Sequence, residues 1–195
     1  MLRSWIFHPL IFYPLVIALA ALLIAFGLQP QNWTREPAPV AAELVESELV
    51  YAGEAFNSPD SSPEQYMTVV RDFFGRAQSL RIAVKPDRPP PAPAEQGVRI
   101  LLTPEDAVRI GDRPVTVEVT YNPSAVNAAT GLAISLQGIG PAQWVSQSIA
   151  PEPATVRFDL PPQQAVDAIG IRALSQSNDQ AYGVEITRVR VTPRA

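Results

Sequence analysis

Trp144 is the residue whose type and surroundings best fit a ligand-binding role. In the stretch around it, Val145 and Ile149 have one parity, and Trp144 shares the other parity with Ser146. If the valine side faces the core, the indole stands on the opposite, polar face, where it can stack on a sugar ring. The more ordinary interpretation is a core tryptophan with Val145 turned elsewhere, and the sequence leaves both open.

Three further residues complete the candidate ligand-binding set. Gln137 ends the strand that precedes Trp144, and Tyr121 and Asn122 lead into a loop in which Asn122-Pro123 is a turn signal. Side-chain amides in such a loop can hydrogen-bond a ligand, although a plain turn is the simpler explanation. The candidate ligand-binding residues are therefore Trp144, Gln137, Tyr121 and Asn122.

Metal and nucleophilic chemistry find little support in the sequence. It has no cysteine, and its one histidine, His8, lies in the apolar N-terminal run, so thiol catalysis, thiolate metal sites and a Ser-His-Asp triad are excluded. Glu105, Asp106 and Asp112 could offer oxygen ligands to Ca²⁺, but no EF-hand spacing is present. A turn-and-cap signal after Thr103 accounts for them more simply, so we expect no metal and no cofactor.

Two strand carboxylates, Glu118 and Asp159, are the remaining candidates for acid–base chemistry. A glycosidase needs two carboxyl groups placed across one bond. The threonines and the arginine around this pair indicate a solvated sheet face instead. We therefore expect that the protein is not an enzyme.

The apolar run from Trp5 to Leu28 contains no Asp, Glu, Lys or Arg. At about 1.5 Å per residue it reaches roughly 36 Å, enough to cross a hydrocarbon core of about 30 Å. The run therefore predicts an uncleaved, single-pass transmembrane helix over 5–28. A cleaved signal peptide, with Ala18-Leu19-Ala20 as its cleavage site, and a buried core helix are the alternatives.

This helix sets the predicted organisation of the chain. We expect a cytoplasmic tip (1–4), the transmembrane helix (5–28), a proline-bearing stalk (29–44) and an extracytoplasmic β-sandwich (45–195). The short basic tip favours a cytoplasmic N-terminus. The predicted location is therefore the bacterial inner membrane with the domain in the periplasm, and membrane lipid is a partner through residues 5–28. With a net charge of −4 and no basic stripe, nucleic acid is not an expected partner.

From Val98 onward, apolar residues alternate with a period of two. Val115, Val117 and Val119 share one face of a strand, with polar residues between them. The pattern recurs in Leu132/Ile134/Leu136, Val156/Phe158/Leu160 and Ile169/Ile171. Short alternating strands separated by turn signals predict an antiparallel sandwich or barrel.

Two local features are also predicted. The segment 62–65 reads as a helix N-cap, apolar residues recur at helical spacing over 66–74, and Gly75 can close a short helix, with a strand as the competitor. In the last strand the apolar parity changes, so we predict a β-bulge near Thr187–Arg188 that returns both halves to the core.

The stretch 98–193 resembles carbohydrate-binding modules with a galactose-binding-like jelly-roll fold. The features that carry the resemblance are the strand Val115–Tyr121, the strand Leu132–Gln137 with Trp144 after it, the strand Thr155–Leu160, and the terminal pattern from Tyr182 to Val191. The resemblance implies a jelly-roll sandwich that displays a glycan-binding face.

The sequence thus predicts an all-β, antiparallel jelly-roll β-sandwich with one short helix, preceded by a single transmembrane helix. The first functional hypothesis is a non-catalytic structural or assembly module that packs against a protein partner in the cell envelope. The alternative is a carbohydrate-binding module with a glycan as its partner.

Overall fold

The chain divides into an N-terminal unit, residues 1–33, and a C-terminal unit, residues 34–195. The computed structural model describes residues 8–28, 33, 35–87, 95–177 and 179–194. The two units are considered separately below, because each has its own elements and its own pattern of apolar residues.

The N-terminal unit contains helix α1 (Pro9–Leu28). Pro9 occupies the first helical position, where its missing N–H would have had no intrahelical partner. The carbonyl of His8 accepts the N–H groups of Ile11 (2.8 Å) and Phe12 (2.9 Å). Pro14 lies inside the helix, where it removes one backbone donor.

The prediction of a transmembrane helix over 5–28 is wrong. Within the part of the chain that the structure describes, no helix is both long enough and apolar enough to cross a membrane. Helix α1 spans Pro9–Leu28. Residues 1–7 lie outside the described part.

This finding also overturns the predicted location in the bacterial inner membrane with a periplasmic domain. That location rested on the membrane-spanning segment and on the charges that flank it. The predicted contact with membrane lipid through residues 5–28 has no support for the same reason.

The C-terminal unit is an antiparallel sandwich of a seven-stranded and a four-stranded sheet among the described residues. The strands are β1 (Glu43–Val45), β2 (Glu48–Ala52), β3 (Gln65–Arg71), β4 (Ala77–Val84), β5 (Val98–Leu101), β6 (Val115–Pro123), β7 (Gly131–Gln137), β8 (Val145–Ser148), β9 (Ala154–Leu160), β10 (Ala168–Leu174) and β11 (Gly183–Pro193). A 3-10 helix (Gly53–Phe56) follows β2, and helix α2 (Pro104–Ile110) follows β5.

The larger sheet has the order β1-β2-β11-β4-β3, and β6 pairs with both β11 and β9. The smaller sheet has the order β5-β10-β7-β8. The predicted antiparallel β-sandwich is therefore confirmed.

The alternating pattern puts one face of each sheet into a shared core. Val117 and Val119 of β6 and Ile134 and Ile171 of the smaller sheet are fully buried. Burying a side chain of this size contributes about 1.5–3 kcal/mol relative to leaving it exposed. The period-two pattern of the sequence is thus the pattern of the core.

Strand β11 contains the predicted bulge. Its register against β6 shifts between Ile186 and Arg188, which leaves Thr187 as the extra residue. Val184 and Val189, on either side of the shift, are both fully buried although their parities differ. The prediction of a bulge is therefore confirmed.

The predicted short helix over 62–75 is wrong, because this segment forms strand β3 and the hairpin turn after it. Met67 and Val69, two residues apart, both pack against the core, which is the period of a strand. The cap-like signal is real but local, since the Oγ of Ser62 accepts the N–H of Glu64 at 3.2 Å. No helical turn follows it.

Helix α2 is tied to the sandwich through Asp106. The Oγ1 of Thr103 caps the helix by accepting the N–H of Asp106 at 3.3 Å. The Oδ2 of Asp106 in turn accepts the N–H of Ala42 (2.9 Å) and the hydroxyl of Tyr51 (3.3 Å). Asp106, considered above as a calcium ligand, is therefore a buried acceptor that joins α2 to β2 and to the chain before β1.

The Tyr51 contact predicts a loss of stability at high pH. Burial, together with the nearby Asp106 carboxylate, raises the pKa of Tyr51 far above its ordinary value. The folded chain keeps the phenol proton that the unfolded chain loses above about pH 10, so this stability is complete below about pH 10 and falls as the pH rises. Urea unfolding should show a decrease of up to about 1.4 kcal/mol per pH unit between about pH 10 and 11.5.

The variant Tyr51→Phe should lose this component of the pH dependence, because it has no phenol to ionise. Tyr66→Phe is the matched control, since Tyr66 is 51% exposed and should leave the slope unchanged. An identical slope in the wild type and in Tyr51→Phe would contradict the assignment.

Candidate functional site

The outer face of the smaller sheet carries polar side chains that are withdrawn from solvent. In β7, Leu132 and Ile134 face the core, so Ser135 and Gln137 face outward. Nevertheless Ser135 is 0% and Gln137 only 5% exposed. Another part of the chain therefore covers this face.

The cover is the segment 95–97, which leads into β5. The Nε2 of Gln137 donates to the carbonyl of Gln96, and the Nη2 of Arg172 donates to the carbonyl of Glu95. These bonds hold the segment against β7 and β10. We call the resulting region the Trp144 surface and define it by Trp144, Gln137, Arg172 and the segment 95–97.

Two glycines let these layers approach. Gly97 has φ +67°, and a Cβ there would lie 2.8 Å from both the carbonyl oxygen of Ile171 and the Cη2 of Trp144. At Gly170 a Cβ would lie 2.1 Å from the Nε2 of Gln137. Without a side chain at either position, the segment can lie against the edge of the indole ring, and Gln137 can lie across β10.

Arg172 stacks on the indole of Trp144. Its guanidinium carbon lies 3.7 Å from the ring centroid, and the residue is only 4% exposed. Burial lowers the pKa of Arg172, and the carboxylates of Glu95 and Glu64 oppose this effect. A guanidinium stays charged under such conditions, and a desolvated cation–π contact contributes about 2 kcal/mol. The stack therefore fixes the indole in one orientation.

Three buried polar atoms at this surface have no hydrogen-bond partner among the described residues: the Nε1 of Trp144, the Oε1 of Gln137 and the Oε2 of Glu95. Leaving such a group unpaired costs about 1–3 kcal/mol. The set contains one donor and two acceptors beside an aromatic ring. A group that can both donate and accept, such as a hydroxyl, is complementary to it.

The structure brings together two of the four sequence-predicted ligand-binding residues. Trp144 is half-buried on the outer face of the smaller sheet, where it and Gln137 both contact the segment 95–97. Tyr121 is 1% exposed and lies in the core, where its hydroxyl accepts the N–H of Ala150 at 2.8 Å. Asn122 lies on β6 of the other sheet, opposite Glu185.

Sequence reasoning missed Arg172 and Glu95. The alternation of Ile169 and Ile171 places Arg172 on the outer face of its strand, so the sequence does indicate which way this side chain points. The sequence does not indicate that β10 pairs with β7, because these strands are distant in the chain, and this pairing is what brings Arg172 near Gln137. Glu95 follows a proline-rich stretch that has no periodicity, so its position was not predictable.

The carboxylates considered for catalysis are held in ion pairs. Asp159 accepts the hydroxyl of Thr116 at 2.8 Å and lies 3.6 Å from Arg194. The Thr116 bond is the largest cause that lowers the pKa of Asp159. Glu118 lies 3.7 Å from Arg190. Within the described ranges, no cluster of three or more His, Cys, Asp or Glu side chains could hold a metal ion.

Comparison with solved structures finds similarity to several carbohydrate-binding modules. No protein-family model matches the sequence, and no curated protein is a detectable sequence relative. The CBM22-1–CBM22-2 tandem domain of Xyn10C from Paenibacillus barcinonensis is 10% identical, with a TM-score of 0.48 over 80% of this chain and 47% of its own. The low-affinity xylan-binding module CBM86 from Roseburia intestinalis is 12% identical, with a TM-score of 0.45 over 75% and 96%.

A third structure of the same kind is the β-1,3-glucan-binding CBM6 from Bacillus halodurans, 13% identical, with a TM-score of 0.41 over 80% of this chain and 100% of its own. The predicted fold-level resemblance to carbohydrate-binding modules is therefore confirmed. At these identities and scores the likeness concerns the fold alone, and it transfers no ligand to this chain.

The close approach at Gly97 predicts a stability difference between two glycine variants. Gly53 also has a positive φ (+53°), but the nearest atom to a Cβ there is 3.6 Å away. Both Gly53→Ala and Gly97→Ala should lose about 1 kcal/mol or more from backbone strain. Gly97→Ala should lose a further 1–3 kcal/mol or so, because its Cβ overlaps the Ile171 carbonyl and the indole. Urea unfolding measures both, and equal losses would contradict the contact.

Proposed function

We propose that this protein binds carbohydrate non-covalently through the Trp144 surface. The observation that carries the proposal is the half-buried indole of Trp144, which is fixed by Arg172 and followed by the exposed hydroxyls of Ser146 and Ser148. A sugar ring has an apolar C–H face and a rim of hydroxyls. It can therefore stack on an indole while its hydroxyls pair with the surrounding polar atoms.

The edge strand β8 extends this polar character. Ser146 and Ser148 share the parity of Trp144 and are exposed. Ser146 lies opposite Ala133, and Ser148 lies opposite Gly131, so only small side chains stand beside the two hydroxyls. Hydroxyls that donate and accept can hydrogen-bond a chain of sugars running along β8.

The rigidity of the site supports binding as its role. Arg172 is buried beneath the ring, and Gly97 lies against the ring edge, so little side-chain freedom remains for a ligand to remove. Ordering a mobile side chain on binding costs about 0.5–1.5 kcal/mol. An indole that is already fixed avoids most of that cost.

Binding without catalysis is the better-supported form of the proposal. The strand carboxylates Glu118 and Asp159 lie in ion pairs on the larger sheet, away from the strands that form the Trp144 surface. A role as an assembly module in the cell envelope depended on a membrane tether that the structure does not support.

Affinity electrophoresis of the full chain tests the proposal. Native gels containing soluble xylan, β-1,3-glucan or mannan should retard the wild-type chain in at least one case. Trp144→Ala should be retarded less, with an affinity about tenfold weaker or more, because the stacking surface is lost. Calorimetric titration with the matching oligosaccharide gives the Kd.

The matched control is Trp33→Ala, because Trp33 is 61% exposed and lies in the N-terminal unit. It should bind like the wild type. A cooperative unfolding transition in each variant confirms that it still folds. The proposal fails if no polysaccharide binds at about 10 mM sugar, because a Kd above that concentration means a binding free energy weaker than about 3 kcal/mol. It also fails if Trp144→Ala binds as tightly as the wild type.

A further inference from the structure

A second groove lies away from the Trp144 surface. Its volume is about 660 Å³, and its walls come from the turn between β1 and β2, the C-terminal turn of α2 with the loop after it, and the end of β11. Arg109, Arg113 and Arg194 all line it. Three of the 15 basic residues of a chain with a net charge of −4 are thus gathered in one groove.

The backbone holds these arginines in place. Arg109 is in the last turn of α2, which closes with the N–H of Gly111 donating to Ala107 at 2.9 Å. The N–H of Arg194 donates to the carbonyl of Pro114 at 2.9 Å, which sets Arg194 next to Arg113 in space. The cations are therefore positioned by secondary structure and not by contact with one another.

The charge of the groove is only partly neutralised. Arg194 lies 3.6 Å from Asp159, whereas the side chains of Arg109 and Arg113 make no ion pair or hydrogen bond with the residues that the structure describes. Of the two acidic residues in the wall, Glu48 is occupied, since it accepts the Thr192 hydroxyl at 2.9 Å and also pairs with Arg190.

The second acidic residue, Glu46, is exposed in the β1–β2 turn. It therefore balances at most one of the two unpaired guanidinium groups. The groove consequently keeps an excess of positive charge on a chain that is negative overall, which is an arrangement that attracts an anion.

We propose that this groove binds a saccharide that carries a carboxylate, such as a uronic acid unit. Planar guanidinium groups pair with a carboxylate through two parallel hydrogen bonds. Val108, 79% exposed, and Pro193 give the same groove an apolar wall for the C–H face of a sugar ring. The choice of a saccharide over other carboxylates rests on the proposed function, whereas the choice of an anion rests on the arginines alone.

Titration of the full chain with a tri-uronate oligosaccharide tests the inference. The double variant Arg109→Gln/Arg113→Gln should weaken binding about tenfold or more, since the charge-assisted hydrogen bonds of both guanidinium groups are lost. Wild-type affinity should also fall as the salt concentration rises from about 0.05 to 0.5 M. The charge-matched control Arg76→Gln/Arg81→Gln removes two exposed cations elsewhere and should bind within about twofold of the wild type.

The outcomes separate this groove from the Trp144 surface. Trp144→Ala should retain uronate binding, and the arginine double variant should retain binding of neutral polysaccharide. No uronate binding by the wild type, or equal losses in the double variant and its control, would overturn the inference. Equal or tighter binding of a glutamate-rich peptide would overturn the assignment to a saccharide.

Discussion

One inserted residue, Thr187, allows the longest strand to organise the larger sheet. Before it, β11 pairs with β4 through Gly183–Ile186, and after it, with β2 through Arg188–Val191. Strand β6 runs along the opposite edge throughout. The hydroxyl of Thr187 donates to the carbonyl of Thr120 at 3.2 Å, so a side-chain hydrogen bond holds the bulged residue to β6. The bulge thus makes two partner strands compatible with a single buried face.

The two sheets use their outer faces differently. On the larger sheet, the Glu185 carboxylate accepts hydrogen bonds from Ser79 (2.6 Å) and Arg81 (2.9 Å). This ion pair lies at the surface, where the charges also remain in contact with water. On the smaller sheet the cation Arg172 lies beneath an indole and a chain segment, where its charge is desolvated. A desolvated polar group interacts more strongly with whatever pairs with it. This contrast supports the proposal that the smaller sheet carries the carbohydrate-binding surface.

Much of the sandwich was predictable, because burial imposes a period of two on every strand with one face in the core. The same rule predicted the bulge from the change in parity between Val184 and Val189. It failed over 62–75, where inward residues of a strand and the exposed turn residues Phe73 and Phe74 together mimic helical spacing. The same reasoning failed for the N-terminal run, because no helix among the described residues is long and apolar enough to cross a membrane.

The site was predictable only where it depends on a single strand. Parity places Gln137 and Trp144 on one polar side, and it also groups Tyr121 with the core valines of β6, where the structure has it. Arg172 and Glu95 reach the indole through strand pairing and through a chain crossing. Neither leaves a local pattern in the sequence, so the cation and the cover could not be inferred.

The way in which the segment 95–97 is held bears on the order of folding. Segment 95–97 is held by Gln137, 41 residues from its partner Gln96, and by Arg172, 77 residues from its partner Glu95. Since Gln137 belongs to β7 and Arg172 to β10, the segment can be held at both points only after these two strands have paired. We therefore expect β7 and β10 to pair first and the cover to close last. The Trp144 surface would then be completed only in the final stage of folding, when the rest of the sandwich is already in place.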